Sequence, residues 1–199
     1  MPQRERTLVL IKPDGVQRSL IGEIIKRYER TGLKLVALKF FIPDEELVRQ
    51  HYLSDANWLE SVGKKSIVSY EKKGLKSPFT DPKECGEAVL KRLIKYLSSG
   101  PVVAMVWEGN QAVGVVRKIT GSTEPLTSDV GTIRGDFTVD SYELGDGDDR
   151  AVRNLIHASG SPSEAEKEIA IWFKPEEIIK YRLVQETILY DVNLDGIKE

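Results

Sequence analysis

Residues 7–42, which read TLVLIKPDGVQRSLIGEIIKRYERTGLKLVALKFFI, carry the clearest strand and helix patterns of the chain. Its first five residues are apolar and partly β-branched and stop at Pro13-Asp-Gly15, which predicts a buried strand ending in a turn. Apolar residues at 21, 24, 25 and 28 then share one face of a helix that Gly32 can end. Residues 33–42 predict a second strand, so the chain begins with a strand, a helix and a strand.

The regular segments further along continue this alternation. Asp81-Pro82 opens a helix that Gly100-Pro101 stops, and residues 102–107 form an apolar strand. Another helix is predicted over about 110–120, and Ser161-Pro-Ser-Glu164 is a capping box that opens one more. Interleaved strands and helices indicate an α/β or α+β class. Periodicity alone leaves open whether the sheet is parallel or antiparallel.

Two stretches lack this regularity. Residues 57–80 are rich in Lys, Gly and Ser, and we expect an excursion from the core there. Residues 122–150 have little hydrophobic period and many Gly, Asp, Ser and Thr, and a structureless loop of this length is usually functional or disordered. Neither stretch suggests a domain boundary, so we expect one domain over residues 1–199.

Composition narrows the classes of function. With a net charge of -2 over 199 residues, electrostatics favours neither nucleic acid nor an acidic membrane as partner. The single cysteine, Cys85, excludes an intramolecular disulfide and a Cys-rich metal site. No apolar run reaches the length of a membrane span or of a secretory signal, so we expect a cytoplasmic setting. The sequence has no HExxH zinc motif. It also lacks the phosphate-binding motif GxxxxGK[ST] and the dinucleotide-binding motif GxGxxG after a strand, so any phosphate site must be built from side chains scattered along the chain.

The two histidines have different settings. His51 lies in a short predicted helix, and we interpret it as a packing residue. His157 ends an apolar, strand-like segment and precedes Ala158-Ser-Gly160, small residues that leave room above a reactive side chain. A structural histidine is the competing interpretation. Glu168, in the following helix, could hold the far ring nitrogen, or it could be one of several surface acids.

Four cations stand at or just beyond the ends of predicted elements: Lys12, Arg117, Arg134 and Arg153. Arginine forks match phosphate oxygens in shape, and lysine meets them as a point charge. Arg134 falls in Gly131-Thr-Ile-Arg-Gly-Asp136, where glycines allow a ligand close to the backbone. Each cation could equally be a solvated surface charge, because spacing alone does not show that they meet.

Five segments together resemble the nucleoside diphosphate kinase family, and they occur in the family's order. They are TLVLIKPDGVQRSLIGEIIKRYE, SGPVVAMVWEG, GTIRGDF, RNLIHASGSPSEAEKEIAIWF and the final helical region. The resemblance implies a ferredoxin-like βαββαβ core with a four-stranded antiparallel sheet, helices over one face and additional helices. It further implies Mg²⁺-dependent, ping-pong transfer of the γ-phosphate from nucleoside triphosphates to diphosphates through a phosphohistidine. Family members are homo-oligomers, hexamers or tetramers built from a common dimer.

The resemblance also assigns residues. His157 is the implied nucleophile, Ser159 and Glu168 the pair that steadies its ring, and Tyr52 the tyrosine near it. The implied nucleotide contacts, with the base-cleft positions last, are Lys12, Arg117, Thr123, Arg134, Asn154, Leu93 and Trp58. No residue is assigned as a metal ligand, since Mg²⁺ is expected on the nucleotide phosphates.

Two departures from the family pattern stand out. Residues 57–92 hold an insertion of some thirty residues, a feature we associate with archaeal members, and it leaves the base-stacking aromatic uncertain between Trp58 and a residue elsewhere. Residues 138–152 carry about ten extra residues, and Val152 stands where the family has glycine.

Two other classes of function are compatible with this composition and fold. A catalytically idle nucleotide-binding regulator of the same fold is the main alternative, and the retained candidate residues argue against it. A nucleic-acid-binding protein is the second, but the chain has no basic stripe interleaved with aromatics.

Overall fold

The computed structural model describes residues 4–72, 74 and 76–190, which form four strands and ten α-helices. In chain order these are β1 (Arg4–Ile11), α1 (Pro13–Gln17), α2 (Ile21–Glu29), β2 (Lys34–Phe41), α3 (Glu45–Tyr52), α4 (Trp58–Lys72), α5 (Pro82–Leu97), β3 (Val102–Asn110), α6 (Ala112–Thr120), α7 (Ile133–Phe137), α8 (Tyr142–Gly147), β4 (Ile156–Ala158), α9 (Pro162–Trp172) and α10 (Glu186–Leu189). Two short 3-10 turns lie at Pro125–Thr127 and Pro175–Glu177. None of the described helices is long and apolar enough to cross a membrane.

The strands form one sheet in the order β2-β3-β1-β4, and every neighbouring pair is antiparallel. This order is that of a βαββαβ ferredoxin-like core, as the family resemblance implied. The central strands β1 and β3 pair along their whole length, from Arg4 with Asn110 to Ile11 with Val103. β4 is only three residues long and pairs with the end of β1, so that His157 lies opposite Leu10.

Helices cover both faces of the sheet: α2 and α6, the two crossover helices of the ferredoxin-like core, lie on one face, as the resemblance implied, and the additional helices α3, α5 and α9 lie on the other. Because side chains alternate along a strand, Leu8 and Leu10 point to one face, where they pack with α3, α5 and α9. Val9 and Ile11 point to the other face and pack with α2 and α6. The physical reason is visible in β3, whose residues from Val102 to Gly109 are all buried and therefore need cover on each side.

The stretch 57–80, which looked irregular in sequence, contains the fifteen-residue helix α4 packed against α5. Two glycines allow the close approach of the helices. A side chain at Gly63 would collide with the carbonyl oxygen of Pro82, and one at Gly86 with that of Leu59. Glycine is a poor helix former, so the residue that permits the packing also hides the helix in the sequence.

The loop at 138–152 is also ordered, around the short helix α8. The guanidinium of Arg150 binds the buried carboxylate of Asp140 through both of its terminal nitrogens, at 2.7 and 3.0 Å. Asp140 also accepts from the backbone N–H of Arg153 at 2.6 Å. These bonds hold the chain just before Asn154. The loop contacts the 57–92 segment as well, since Nη1 of Arg92 lies 3.6 Å from Asp146 Oδ1.

Candidate active site

The turn after β1 and the chain before β4 are bonded to each other, which places Lys12 beside the histidine strand. The backbone N–H of Lys12 donates to the carbonyl of Leu155 at 2.8 Å, and the N–H of Leu155 donates to Asp14 Oδ2 at 3.1 Å. Leu155 has a φ of 67°, a strained value for a branched side chain. A side chain at Gly15 would press on this same carbonyl and on Ile11, so the KPDG turn needs its glycine here.

The sequence predicted His157 as the last residue of its strand, but in the structure it is the middle residue of β4. Its ring is half-buried. Its Nε2 lies 2.8 Å from Glu168 Oε1. The hydroxyl of Ser159 donates to the other oxygen, Glu168 Oε2, at 2.5 Å. Because an ionised carboxylate only accepts, Nε2 carries the proton and Nδ1 keeps its lone pair. The structure therefore brings together His157, Ser159 and Glu168, as predicted.

Glu168 is buried on α9, with an exposed fraction of 2 %. Burial would raise the pKa of its carboxyl, but the attraction of the His157 ring in its protonated form, together with the hydrogen bonds from His157 and Ser159, outweighs burial and lowers the pKa to about 2. The alternative of a surface acid is excluded by this burial. Glu168 is thus an anion next to the imidazole throughout the physiological pH range.

His51 is part of this cluster, which the sequence did not indicate. It is buried at the end of α3, as expected of a packing histidine, but its ring stands edge-on to that of His157 with centroids 4.5 Å apart. Its Nδ1 accepts from Trp172 Nε1 at 3.2 Å and lies 3.5 Å from Glu168 Oε1. Burial and the neighbouring His157 lower the pKa of His51 to about 3. These contacts join residues of α3, β4 and α9, which are far apart in the sequence, so no local pattern predicts them.

Lys12 and Asn154 form a second cluster. Lys12 Nζ donates to Asn154 Oδ1 at 2.8 Å, and Asn154 Nδ2 donates to the carbonyl of Thr123 at 2.8 Å. Burial and the positive charge of Arg134 lower the pKa of Lys12 to about 7, against the opposing effect of Asp14. Among the described residues, Asn154 is the one hydrogen-bond partner of this buried amine, so its other N–H groups are open to an anion.

Arg134 is buried and bonded largely to the backbone. Its guanidinium donates to the carbonyl of Ile156 at 2.6 Å. It also donates at 3.0–3.2 Å to the carbonyls of Gly121, Ser122 and Asn154. These contacts tie the loop after α6 to the strand that carries His157. Four of its five N–H groups are thereby used, which leaves one for a ligand.

Arg117 and Thr123 are both exposed, and they flank this loop. Arg117 lies in the last turn of α6, and its Nη1 is 3.8 Å from where a Cβ on Gly160 would lie, close to the residues after His157. Within the described part of the chain, its guanidinium has neither an ion pair nor a hydrogen bond. Arg117 is therefore a cation available to a ligand. The side chain of Arg153 is likewise exposed.

The predicted base-cleft residues, Trp58 and Leu93, lie on α4 and α5, and Tyr52, predicted near the histidine, is the last residue of α3. Tyr52 and Trp58 pack ring to ring, with centroids 5.3 Å apart, and both contact the core cluster of the α3, α5 and α9 face. Burial raises the pKa of Tyr52, helped by the negative charge of Glu168, so its hydroxyl stays protonated. Leu93 is half-buried on α5. Trp58 is thus both near Tyr52 and attached to the core, which fits either of the roles open to it.

One ligand atom from each of His51, His157 and Glu168 lies within 4.8 Å of the other two, a spacing that a metal ion could span. Two of the ligand atoms, His157 Nε2 and His51 Nδ1, are already engaged in hydrogen bonds. A cation would have to break both, so we interpret the cluster as a hydrogen-bonded network.

Comparison with known proteins agrees with this geometry. The family model described as "Nucleoside diphosphate kinase" matches residues 5–60 and 62–178. The nucleoside diphosphate kinase of Pyrobaculum aerophilum is 47% identical over 180 residues, covering 88% of this chain and 98% of that protein. The bovine nucleoside diphosphate kinase B is 45% identical over 183 residues, covering 92% and 94%.

Solved structures give the same result. The crystal structure of an NDP kinase from Pyrobaculum aerophilum aligns with a TM-score of 0.86 at 44% identity, covering 89% of this chain and all of that one. A transition-state mimic of the nucleoside-diphosphate kinase from Borrelia burgdorferi, with bound vanadate and ADP, aligns with a TM-score of 0.76 at 39% identity, covering 92% and 95%. Fold and site thus define a phosphotransferase on an antiparallel ferredoxin-like sheet. More narrowly, the chain belongs to the nucleoside diphosphate kinase family.

Proposed function

We propose that this chain transfers the γ-phosphoryl group of a nucleoside triphosphate to a nucleoside diphosphate through a covalent intermediate on His157. The observation that carries the assignment is the 2.8 Å contact between Nε2 of His157 and Glu168. It fixes the proton on Nε2 and leaves the Nδ1 lone pair as the nucleophile. The Borrelia relative, described with vanadate and ADP, supports phosphoryl transfer as the chemistry.

The reaction has two equivalent halves. In the first, the lone pair of His157 Nδ1 forms a bond to the γ-phosphorus while the bond to the bridging oxygen breaks, and the diphosphate leaves with that electron pair. In the second, a terminal oxygen of another diphosphate attacks the phosphorus and the nitrogen takes back its electrons. The Nε2 proton stays in the bond to Glu168, whose negative charge stabilises the cationic ring of the intermediate.

Three cations would stabilise the charge on the transferring group. Arg117 offers a guanidinium with no protein partner among the described residues, Lys12 a buried ammonium, and Arg134 its one remaining N–H. Phosphoryl transfer depends chiefly on position and charge, so such groups supply most of what the protein contributes. Tyr52, with a protonated hydroxyl beside Glu168, is proposed as a further donor near the histidine.

Mg²⁺ is proposed as the cofactor, held mainly by the nucleotide phosphates. The nearby carboxylates are engaged by the protein itself: Glu168 by His157 and Ser159, and Asp14 by Tyr96 and the Leu155 N–H. The chain therefore fits a metal that arrives with the nucleotide better than one bound in advance. When bound, Mg²⁺ would neutralise part of the phosphate charge.

Sugar and base contacts complete the assignment. Asn154 and Lys12, which are bonded to each other, are proposed to bind the ribose hydroxyl, and Thr123, whose carbonyl accepts from Asn154, is proposed to bind phosphate. Trp58 and Leu93 are the proposed walls of the base cleft. Since stacking is indifferent to base identity, we propose that all common nucleoside diphosphates are accepted.

We further propose that the chain is a homo-oligomer, a hexamer or a tetramer, in which a second copy covers β2. This edge strand exposes Leu38 and Phe40 by 48% and 60%. A groove beside it is lined by Phe41, Phe173 and Pro175. An exposed apolar edge on a sheet is a site for pairing between chains. We also propose one catalytic domain over residues 1–199, in which 57–92 and 138–152 are insertions, and a cytoplasmic setting.

The proposed chemistry is tested by incubating the protein with γ-labelled ATP alone. We expect label on His157 that is lost in acid and stable in alkali, as a phosphoramidate is. The His157→Ala variant should take up none. Acid-stable label, or equal labelling of the variant, would contradict the assignment, and a chain that takes up no label would be an idle nucleotide-binding scaffold.

A further inference from the structure

Each oxygen of Glu168 has one close donor. Oε1 accepts from His157 Nε2 at 2.8 Å, and Oε2 accepts from Ser159 Oγ at 2.5 Å. A third potential donor stands next to them, because His51 Nδ1 is 3.5 Å from Oε1. In the structure this nitrogen is occupied by a different bond, from Trp172 Nε1 at 3.2 Å.

We propose that Trp172 is a positioning residue that acts through His51: its indole N–H keeps the His51 proton on Nε2, and this reserves Glu168 Oε1 for His157. The inference deepens the function proposed above and rests on it for the effect on rate. The tautomer of His51 is a separate observable that needs no nucleotide.

Whether His51 competes for Glu168 Oε1 depends on which of its two neutral tautomers is present. Besides His157 and Glu168, the charged group that bears on His51 is Lys12, and burial together with His157 holds the His51 pKa at about 3. His51 is therefore uncharged near neutral pH, and only the place of its proton can change. With the proton on Nδ1, it would donate to the carboxylate, a stronger bond than one between neutral groups.

The cost of that change falls on His157. Glu168 Oε2 is already bonded to the buried Ser159, so a donating His51 would share Oε1 with the nucleophile. A shared acceptor holds each donor less firmly, and the ring of His157 would lose part of both its orientation and its charge stabilisation. In the native protein the tryptophan removes this competitor because it occupies the Nδ1 lone pair.

The test uses Trp172→Phe, which removes the N–H and keeps an aromatic ring. Trp107→Phe is the matched control, since Trp107 is also buried and its Nε1 has no hydrogen-bond partner among the described residues. Nitrogen-15 spectra of the imidazoles give the tautomers directly, and assignment is simple because the chain has only two histidines. Single-turnover phosphorylation by ATP and the nucleotide Kd are measured on the same samples.

We expect wild-type His51 to have a proton on Nε2 and none on Nδ1. In Trp172→Phe the proton should move to Nδ1, and phosphorylation of His157 should slow about fivefold at an unchanged Kd. Trp107→Phe should alter neither tautomer nor rate. The double variant Trp172→Phe/His51→Phe, which has no competitor for Oε1, should regain most of the rate.

Three results would overturn the inference. The first is a proton on Nδ1 of His51 in the wild type, which is decisive even if no variant folds. The second is a Trp172→Phe protein that phosphorylates slowly while His51 keeps its native tautomer. The third is a changed tautomer with an unchanged rate. If wild-type His157 takes up no phosphate at all, the proposed function fails instead, and the spectra still report whether Trp172 controls the His51 proton.

Discussion

Replacing Glu168 by glutamine is the most informative change to the histidine site. The amide can still accept from His157 Nε2, but it carries no charge, and its NH₂ end cannot accept from Ser159. Hydrogen bonds to charged groups contribute about 1.5–3 kcal/mol and neutral ones about 0.5–1.5 kcal/mol, so the cationic intermediate should lose about 1–2 kcal/mol.

A loss of this size predicts that kcat falls about 5- to 30-fold in Glu168→Gln. Nucleotide Kd should hold, because Glu168 contacts the ring and not the ligand. The assay is single-turnover phosphorylation by ATP, followed by dephosphorylation with a second diphosphate, with Kd from calorimetry. Glu166→Gln, an exposed acid on the same helix, is the control and should behave as wild type. A loss confined to Kd, or an unchanged rate, would refute the role assigned to Glu168.

Three further predictions concern the nucleotide. The pKa of Lys12 is about 7, and a bound phosphate favours its charged form, so nucleotide binding at pH 8 should take up about one proton. Calorimetry in buffers of different ionisation enthalpy should show this uptake, and Lys12→Met should abolish it. Diphosphates lacking the 3′ hydroxyl should be poorer acceptors by about tenfold or more in kcat/KM, since Asn154 and Lys12 would be left with an unfilled bond; equal values would contradict this. Trp58→Ala should weaken all nucleotides by a similar factor, about 1–3 kcal/mol, at a nearly constant Tm, whereas a lower Tm at constant KM would make Trp58 a packing residue of α4.

Much of the fold could be predicted from local pattern. The apolar run of β1, the proline-led start of α5 and the glycine that ends α6 all follow from short-range physics. The antiparallel direction of the strands could not be predicted in this way, because strand pairing is a long-range contact that hydrophobic periodicity does not encode. It was predicted only from the family resemblance. α4 escaped detection because Gly63, needed for contact with α5, weakens the helical pattern.

The site was predictable where motif and chemistry coincide. His157, Ser159 and Glu168 lie within eleven residues of one another on consecutive elements, and the structure joins them. His51 is 106 residues away from His157, and its approach depends on how α3 packs on the sheet. Arg134 was expected to face phosphate, yet most of its donors hold backbone. The spacing of residues in the sequence predicts neither contacts between distant segments nor the backbone carbonyls that compete with a ligand for the donors of an arginine.

The arrangement of Arg134 has a consequence for the timing of the reaction cycle. Fixing a loop costs conformational entropy, and a protein that orders a loop only when its ligand arrives must do so again for every ligand. Here the guanidinium joins the segments at 121–122 and 154–156 through carbonyl groups of the chain itself. A site that receives a donor and then an acceptor in each cycle would otherwise refold twice per turnover. We therefore expect exchange to be limited by chemistry or by diffusion of nucleotides, with no slow closure of this loop in either half-reaction.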